Sequence, residues 1–489
     1  MTIVPRLALA LLFAPAAAVA GDPFFTGVGD LPGGNVLSAA NGVSGDGAVV
    51  AGYSNTATGD EAIRWTQQGG LQGLGDLPGG ATYSQARAVS ADGSTIVGSS
   101  TSASGGEGFR WLAGSGPVGV GDLPGNAFFS IASGVNTDGT VVVGHSESTN
   151  SGTLSAEAFR WTLAGGIAGL GDLPGSIFFS VATGSSADGT RVCGYGTSTA
   201  SGPSSSEASR WVQGVGMVGL GDLAGGGFGG NAFGISADGN AIVGLSAATG
   251  GVFAFRWTDP AAGGAGMESL GDLPGGSAFS RANGVSADGK VVVGQSVGPN
   301  GMEAFVWIEG QGIFALKNML QNDLGLDLTG WTLEVAQAVS ADGRTIVGYG
   351  PNPDGNYEGW VAHLGGAPWN NVGHALAGDD GLPLLSGLGT PAGGNVVTLT
   401  LSGARPDSTA ALIIGLTQVL APLKGGVLVP AADVLVAGLP VSHAGKLVLS
   451  AAWPAGVPSG LTISFQEWIV DAAAVQGFSA SNGLTVTIP

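Results

Sequence analysis

The chain is poor in the residues that usually carry chemistry. Its 489 residues include one cysteine, Cys193, only four histidines, and charged side chains at 10% of positions. A lone cysteine excludes an intramolecular disulfide. In R-V-C-G-Y-G it stands where V-V-V-G-H-S has Val143, which reads as a small core residue and not a reactive thiol. His145, His363, His374 and His443 form no cluster at metal-ligand spacing, so no zinc site is expected. Fifteen Lys plus Arg against 35 Asp plus Glu leave a net charge of -20. That charge repels phosphate backbones and anionic lipid, and nucleic acid is excluded as a partner. After the N-terminus no apolar run approaches the roughly 20 residues of a membrane span, so no transmembrane segment is expected.

Glycine is what the chain has in excess: 93 Gly with 24 Pro make 117 of 489 residues. Aperiodic chains are disordered at roughly 25–30% Gly plus Pro. Here 44% of residues are apolar and the glycines recur on a fixed period, which predicts a folded repeat protein. Residues 1–20 carry one early cation, Arg6, an apolar stretch from Leu7, and the small-residue end Ala18-Val19-Ala20. This reads as a secretory signal peptide, and predicts a protein that is secreted, extracellular or at the cell surface, or held in a periplasm.

Three ladders set the period. G-D-L-P-G or a near variant places Asp30, Asp76, Asp122, Asp172, Asp222 and Asp272, with spacings of 46, 46, 50, 50 and 50. A second ladder, usually S-A-D-G, carries Asp46, Asp92, Asp138, Asp188, Asp238, Asp288 and Asp342. A third, often F-R-W, carries Trp65, Trp111, Trp161, Trp211, Trp257, Trp307 and Trp360. Within a unit such as Ser280 to Leu316, four short runs rich in Val, Phe and Trp are bounded by Gly, Asn, Asp or Ser, with no sustained helical periodicity. These are strands and turns, with S-A-D-G fitting a tight hairpin turn. Seven units of four strands predict an all-β, seven-bladed β-propeller over 21–365. The last unit lacks its outer strand, and an orphan strand of that type, Phe24 to Leu31, stands at the mature N-terminus. It is expected to pair beside Gly359 to Leu364 and close the ring, with Asp30 facing Gly359.

Folding each F-R-W strand back about the glycines after it sets Arg64 opposite Asp76. The same reading pairs Arg110 with Asp122, Arg160 with Asp172, Arg210 with Asp222, and Arg256 with Asp272. Where Val306 replaces Arg, the residue opposite becomes Asn318. An ion pair within each blade is therefore expected.

The units G-D-L-P-G-G-S-A-F-S-R-A-N-G-V-S-A-D-G-K and E-A-F-R-W, with the divergent last unit from Asn318 to Gly350, resemble the bacterial extracellular HAF repeat family. The resemblance covers about Phe24 to Leu364. It departs at His-Ala-Phe, which is Glu157-Ala158-Phe159 or a variant here. It implies an exported propeller-like repeat protein with no established catalytic residues.

The ladders stop near Gly366. Strand-like runs at Val396 to Leu401, Ala411 to Leu416, Val427 to Pro430, Leu447 to Ala451 and Leu461 to Val470 predict a small C-terminal β-sandwich over 366–489. Parts of this segment resemble a C-terminal module of secreted bacterial proteins, read as an accessory attachment or stability module.

Catalytic and cofactor motifs fail. Gly144 to Ser148 lacks the final Gly of a nucleophile elbow and no helix follows it. Gly114, Gly116 and Gly119, and likewise Gly214, Gly216 and Gly219, match a dinucleotide fingerprint but sit in inter-strand turns. Asn352 to Glu358 offers oxygen ligands without the spacing of a calcium loop. No cofactor or metal is expected. Two function classes remain: a noncatalytic binding or surface-interaction protein, and a carbohydrate hydrolase or lyase with carboxylates gathered at the propeller mouth. Because 13 acids (six plus seven) are ladder positions that repeat as scaffolding does, binding is favoured, with a glycan or cell-envelope partner and a monomeric state. The face carrying the Ser/Thr loops and P-G-G connections varies most from blade to blade, and recognition is expected there. Tyr83, Phe129, Phe179 and Phe279, each just before the residue that opens an inner strand, are the candidate ligand-binding residues. Packing between blades accounts for these aromatics as well.

Overall fold

The computed structural model describes residues 23–488, apart from 126, 152–154, 176, 366–368, 389–390, 392, 394–395 and 455. The expected signal peptide therefore lies outside the described residues, as does Gly366 at the expected domain boundary. Seven four-stranded antiparallel sheets make up residues 24 to 363, six of them with their strands in sequence order from inner to outer edge. In blade 1 the strands are Gly33–Val43, Val50–Thr56, Gly59–Thr66 and Gly70–Gly73, called a to d below. Each blade buries both faces against its neighbours. Ala51, Ala62 and Leu74 of blade 1, for example, share a core with Ile96, Phe109 and Trp111 of blade 2. The protein is a seven-bladed β-propeller followed by a β-sandwich.

The ring closes as the sequence predicts. Phe24–Gly27 pairs antiparallel with Tyr357–His363, setting Phe25 against Ala362 and Gly27 against Trp360. Blade 7 is therefore built from both ends of the propeller segment. It is Val28, not Asp30, that meets Gly359, through a 2.9 Å hydrogen bond from its amide to the Gly359 carbonyl.

The S-A-D-G segments do more than turn the chain. In each turn the Asp carboxylate accepts a hydrogen bond from the amide two residues on, as Asp46 does from Ala48. The Ser44 hydroxyl donates to Asp46 at 2.6 Å and accepts from the Val49 amide. Hydrogen bonds from Ser44 and then the Ala48 amide hold the Asp46 carboxyl below its usual range. The Thr190 amide and the Ser186 hydroxyl take Asp188 down to about 2. The Gly after each Asp has positive φ, 75° at Gly47 and 70° at Gly189, a region that side chains disfavour. The second residue of the tetrad has a separate task. Backbone hydrogen bonds run from Gly45 to Ala91, Asp92 to Thr137, and on through Ala187, Ala237, Ala287 and Ala341 back to Gly45, at 2.8–3.4 Å. Seven turns are thus joined in a closed circle around one end of the central channel, and only small side chains occupy those positions.

The expected ion pairs within blades do not form. The turn between strands c and d is short, so Arg64 pairs in register with Gln72, Arg110 with Val118, Arg160 with Ala168, Arg210 with Val218 and Val306 with Phe314. Each G-D-L-P-G aspartate lies four residues further on, at the opposite end of the blade. Arg110, Arg160, Arg210 and Arg256 instead reach across to the next blade. Arg110 sits 5.7 Å from the ring centre of Trp161, and Arg210 sits 4.7 Å from that of Trp257. Arg160 donates to the Gly189 carbonyl. The longer turn after Trp257 supplies Asp259, which pairs with Arg210 at 2.6 Å, while Arg256 takes Glu268 and Glu309.

Besides single 3-10 turns at Pro260–Ala262 and Val475–Gly477, a longer helical segment departs from the all-strand reading. Leu316–Asn318 and Met319–Asp323 form two joined helical turns where blade 6 passes to blade 7. Leu316, Met319 and Leu320 share one face of these turns and are buried with Leu328 and Trp360. Cys193 is buried in strand b of blade 4, and burial pushes its thiol up to about 12, as befits the core residue expected.

Beyond residue 368 one sheet runs in the order Trp369–Gly373, Gly483–Thr487, Thr462–Val470, Thr409–Gly415, Val434–Pro440, with Phe478–Ala480 added at Thr462–Val470. A second sheet holds Leu384–Leu388, Val396–Ser402 and Leu447–Ala452. Leu385, Val397 and Leu399 of the smaller sheet pack on Leu412, Phe465, Leu484 and Val486 of the larger, the layering of a sandwich.

Candidate binding face

Strand c runs from one face of the propeller to the other, so the residues that open it lie on the face with the b–c loops and d–a connections. Two ladders unnoticed in the sequence brace that face. Glu61, Glu107, Glu157, Glu207 and Glu358 each accept a hydrogen bond from a glycine amide of the outer strand's end, at 2.9–3.4 Å. The packing is close: a Cβ on Gly73 would stand 2.2 Å from Glu61 Oε1. A serine at or near the start of the inner strand in blades 1, 2, 3, 4 and 6 then staples blades together, with Gly230 in its place in blade 5. Ser84 accepts from the Ala62 amide and donates to the Gly75 carbonyl; Ser130, Ser180 and Ser280 repeat this one blade on.

Blade 4 breaks the pattern. In blades 1, 2, 3, 5 and 6 a serine at this end of strand b accepts the amide of the leucine in G-D-L, as Ser146 does from Leu123. Gly196 offers no hydroxyl at this position. Asp172 turns in to accept the Leu173 amide at 2.6 Å and the Phe179 amide at 3.2 Å, and burial still raises its pKa.

The two 50-residue spacings expected to lengthen this face do so. Blades 1, 2, 5 and 6 join strands b and c by tight hairpins, whereas blades 3 and 4 use loops 147–156 and 197–206. The loop of blade 4 is tied down: Thr199 donates to the Pro174 carbonyl at 3.0 Å, and Ser206 to Asn231 of blade 5 at 2.7 Å. An open cleft of about 580 Å³ lies between the two loops, lined by Ser155, Ile177, Phe179, Tyr195, Thr197 and Pro203 to Ser206.

Phe179 is the one candidate aromatic that lines this cleft, with its ring centre 6.1 Å from that of Tyr195. Phe129 packs between blades: its backbone bridges to Gly106 of blade 2, and its ring stands 6.2 Å from His145. Burial, followed by the charge of Arg87, takes His145 down to about 4. Phe279 bridges to Val252 in the same manner. Tyr83 lies within the inner strand Gly79–Val89 and is 36% exposed. The four are therefore distributed around the mouth and are not one cluster. Missed in the sequence was Tyr195, which belongs to a column of cross-strand positions that varies among the blades. That column reads Tyr53, Ser99, His145, Tyr195, Leu245, Gln295 and Tyr349.

Among the described residues no group of three His, Cys, Asp or Glu is placed to hold a metal ion. In the Asn352 to Glu358 loop, Asn352 Oδ1 is engaged by the amides of Asp354 and Asn356, which makes it a turn cap. No helix among the described residues is long and apolar enough to cross a membrane.

Fold and face together define a β-propeller with a loop-framed cleft on one face. No family model and no curated protein matches the chain. Among solved structures it is similar to an oligogalacturonate lyase from Vibrio parahaemolyticus, at 10% identity and a TM-score of 0.45 over 71% of this chain and 98% of that one. A putative TolB from Agrobacterium tumefaciens gives 16% identity and a TM-score of 0.35, over 60% of this chain and 93% of that one. The TolB of Acinetobacter baumannii is matched over about half its length, 51%, and 46% of this chain, at 13% identity and a TM-score of 0.33.

Proposed function

We propose that this is an exported, noncatalytic binding or surface-interaction protein of the HAF repeat type, whose partner docks on the face carrying the b–c loops. The observation that carries this reading is the position of the cleft, between the two loops that depart from the repeat. Recognition generally sits where loops vary over a fixed scaffold. The ladder acids of S-A-D-G and of E-A-F-R-W support it, because their oxygens are bound to backbone amides and serve the scaffold. The partner is a glycan or another component of the cell envelope, met as a monomer outside the cytoplasm.

Screening the mature chain against a glycan array and against cell-envelope fractions tests this. Phe179→Ser is expected to weaken capture about threefold to tenfold, the worth of one aromatic stacking contact. Phe129→Ser should weaken it too, once melting curves establish that the fold survives. Asp188→Asn, in an S-A-D-G turn, should leave capture unchanged. A ligand that responds only to the S-A-D-G variant would place recognition on the other face and overturn the proposal.

A further inference from the structure

A line of contacts leads from the cleft toward the channel. Tyr195 stands 6.3 Å, edge on, from Phe233 of blade 5, and the Arg281 guanidinium of blade 6 lies 3.9 Å over the Phe233 ring. Phe179, Tyr195, Phe233 and Arg281 thus form a continuous strip across three blades. Arg87 comes from blade 2, across the ring from blade 6, and is exposed. Its charge is felt at Tyr53 of blade 1, His145 of blade 3 and Tyr195 of blade 4, and Arg281 is felt at Tyr195 and at Tyr349 of blade 7. Arg87 and Arg281 both belong to innermost strands, Gly79–Val89 and Ser280–Val285, which line the central channel.

Neither arginine forms an ion pair or a hydrogen bond through its guanidinium among the described residues, and Arg281 Nε is buried without a partner. In a chain of net charge -20, the buried Arg281 donor is left unsatisfied at a cost, and the exposed Arg87 stands at the same opening without a counter-ion. Nearby carboxylates are already engaged by neutral donors: Asp60 by Asn55 and Gln85, and Glu334 by the Tyr357 hydroxyl. Glu147, in the loop after strand b of blade 3, has one oxygen buried without a partner. A planar fork of donors is matched by a carboxylate, and a flat aromatic strip by the face of a sugar ring.

We infer that the channel mouth between Arg87 and Arg281 binds an acidic saccharide, its carboxylate on the guanidinium groups and its ring on the Phe179–Tyr195–Phe233 strip. This deepens the proposed reading of the face and rests on it. Binding of alginate oligosaccharides to the full mature chain is measured calorimetrically, against neutral cello-oligosaccharides and a sulfated glycan of similar length. The uronate oligomers bind, more weakly as salt is raised. Arg87→Gln and Arg281→Gln each lose roughly tenfold or more, as for a charge-assisted hydrogen bond. Arg281→Lys recovers part of the loss by restoring charge on Phe233. Arg87 is exposed, so its variant should melt as the parent does and report binding alone.

Equal binding of neutral oligomers, binding of the sulfated glycan alone, or no binding of any acidic saccharide would overturn the inference. A glycan whose capture responds to Phe179→Ser but to neither arginine would overturn it while leaving the face assignment standing. Cleavage of the alginate probe, lost in neither arginine variant, would sink the noncatalytic reading and leave the anion site in place.

Discussion

Removing residues 24–31 is expected to destabilise the propeller severely, to the point of aggregation. The segment supplies the outer strand of blade 7, and its loss bares the edge of Tyr357–His363. Phe24 stacks on His363 at 5.4 Å, Phe25 meets Trp331 edge on at 5.1 Å, and Val28 is 5% exposed in a core with Val50 and Ile63. Three apolar side chains at roughly 1.5–3 kcal/mol each set the loss on the order of 5 kcal/mol, before the exposed edge is counted. Thermal unfolding and size-exclusion chromatography measure it. An unchanged melting curve would show that the N-terminal strand does not close the ring.

The second large effect lies in the C-terminal sheets. Glu467 is 1% exposed in Thr462–Val470, and neither carboxyl oxygen has a partner. Burial raises its pKa to about 8. The unfolded chain ionises this group near 4.5, whereas the folded chain keeps it protonated until about 8, so folding takes up a proton between those values. Stability should therefore be greatest below pH 4.5, fall as pH rises toward 8, and level off above it. At pH 7 the interval of about 2.5 pKa units corresponds to about 3 kcal/mol. Glu467→Gln keeps the shape and removes the ionisation. Melting followed by Trp468 and Trp453 fluorescence should lose this fall between pH 5 and 8, and the variant should be the more stable form at pH 8. Identical pH profiles for the two proteins would show that the carboxyl is solvated.

The features readable in the sequence were those that repeat. The Trp and Asp ladders counted seven blades because a propeller uses one solution to the same packing problem seven times. The missing outer strand after Trp360 identified its own replacement at Phe24. Pairing across a turn was less legible. The Arg and Asp ladders kept step along the chain, but a shift of four residues at the c–d turn separates Arg64 from Asp76, and turn length is not fixed by periodicity. The serine staples were present as Ser84, Ser130, Ser180 and Ser280, yet their partners are backbone amides of the preceding blade, which no residue pattern announces. The site was hardest to find. Phe179 was nominated for its place before an inner strand, whereas Tyr195, Phe233 and Arg281 occupy columns whose residue type varies among the blades. Departure from the repeat was the signal there, as it was for the loops at 147–156 and 197–206.

Both the mouth and its lining depend on blades 1 and 7 being neighbours, so the most direct measurement is a cross-link between the two ends of the propeller. Phe25 and Ala362 face each other between the paired strands, at a position where cross-strand side chains lie close enough for a disulfide. The variant Phe25→Cys with Ala362→Cys, carrying Cys193→Ala, has only those two thiols. After mild oxidation, peptide mass spectrometry should find them joined within one chain. Free thiols, or disulfides only between chains, would contradict the closed seven-bladed ring.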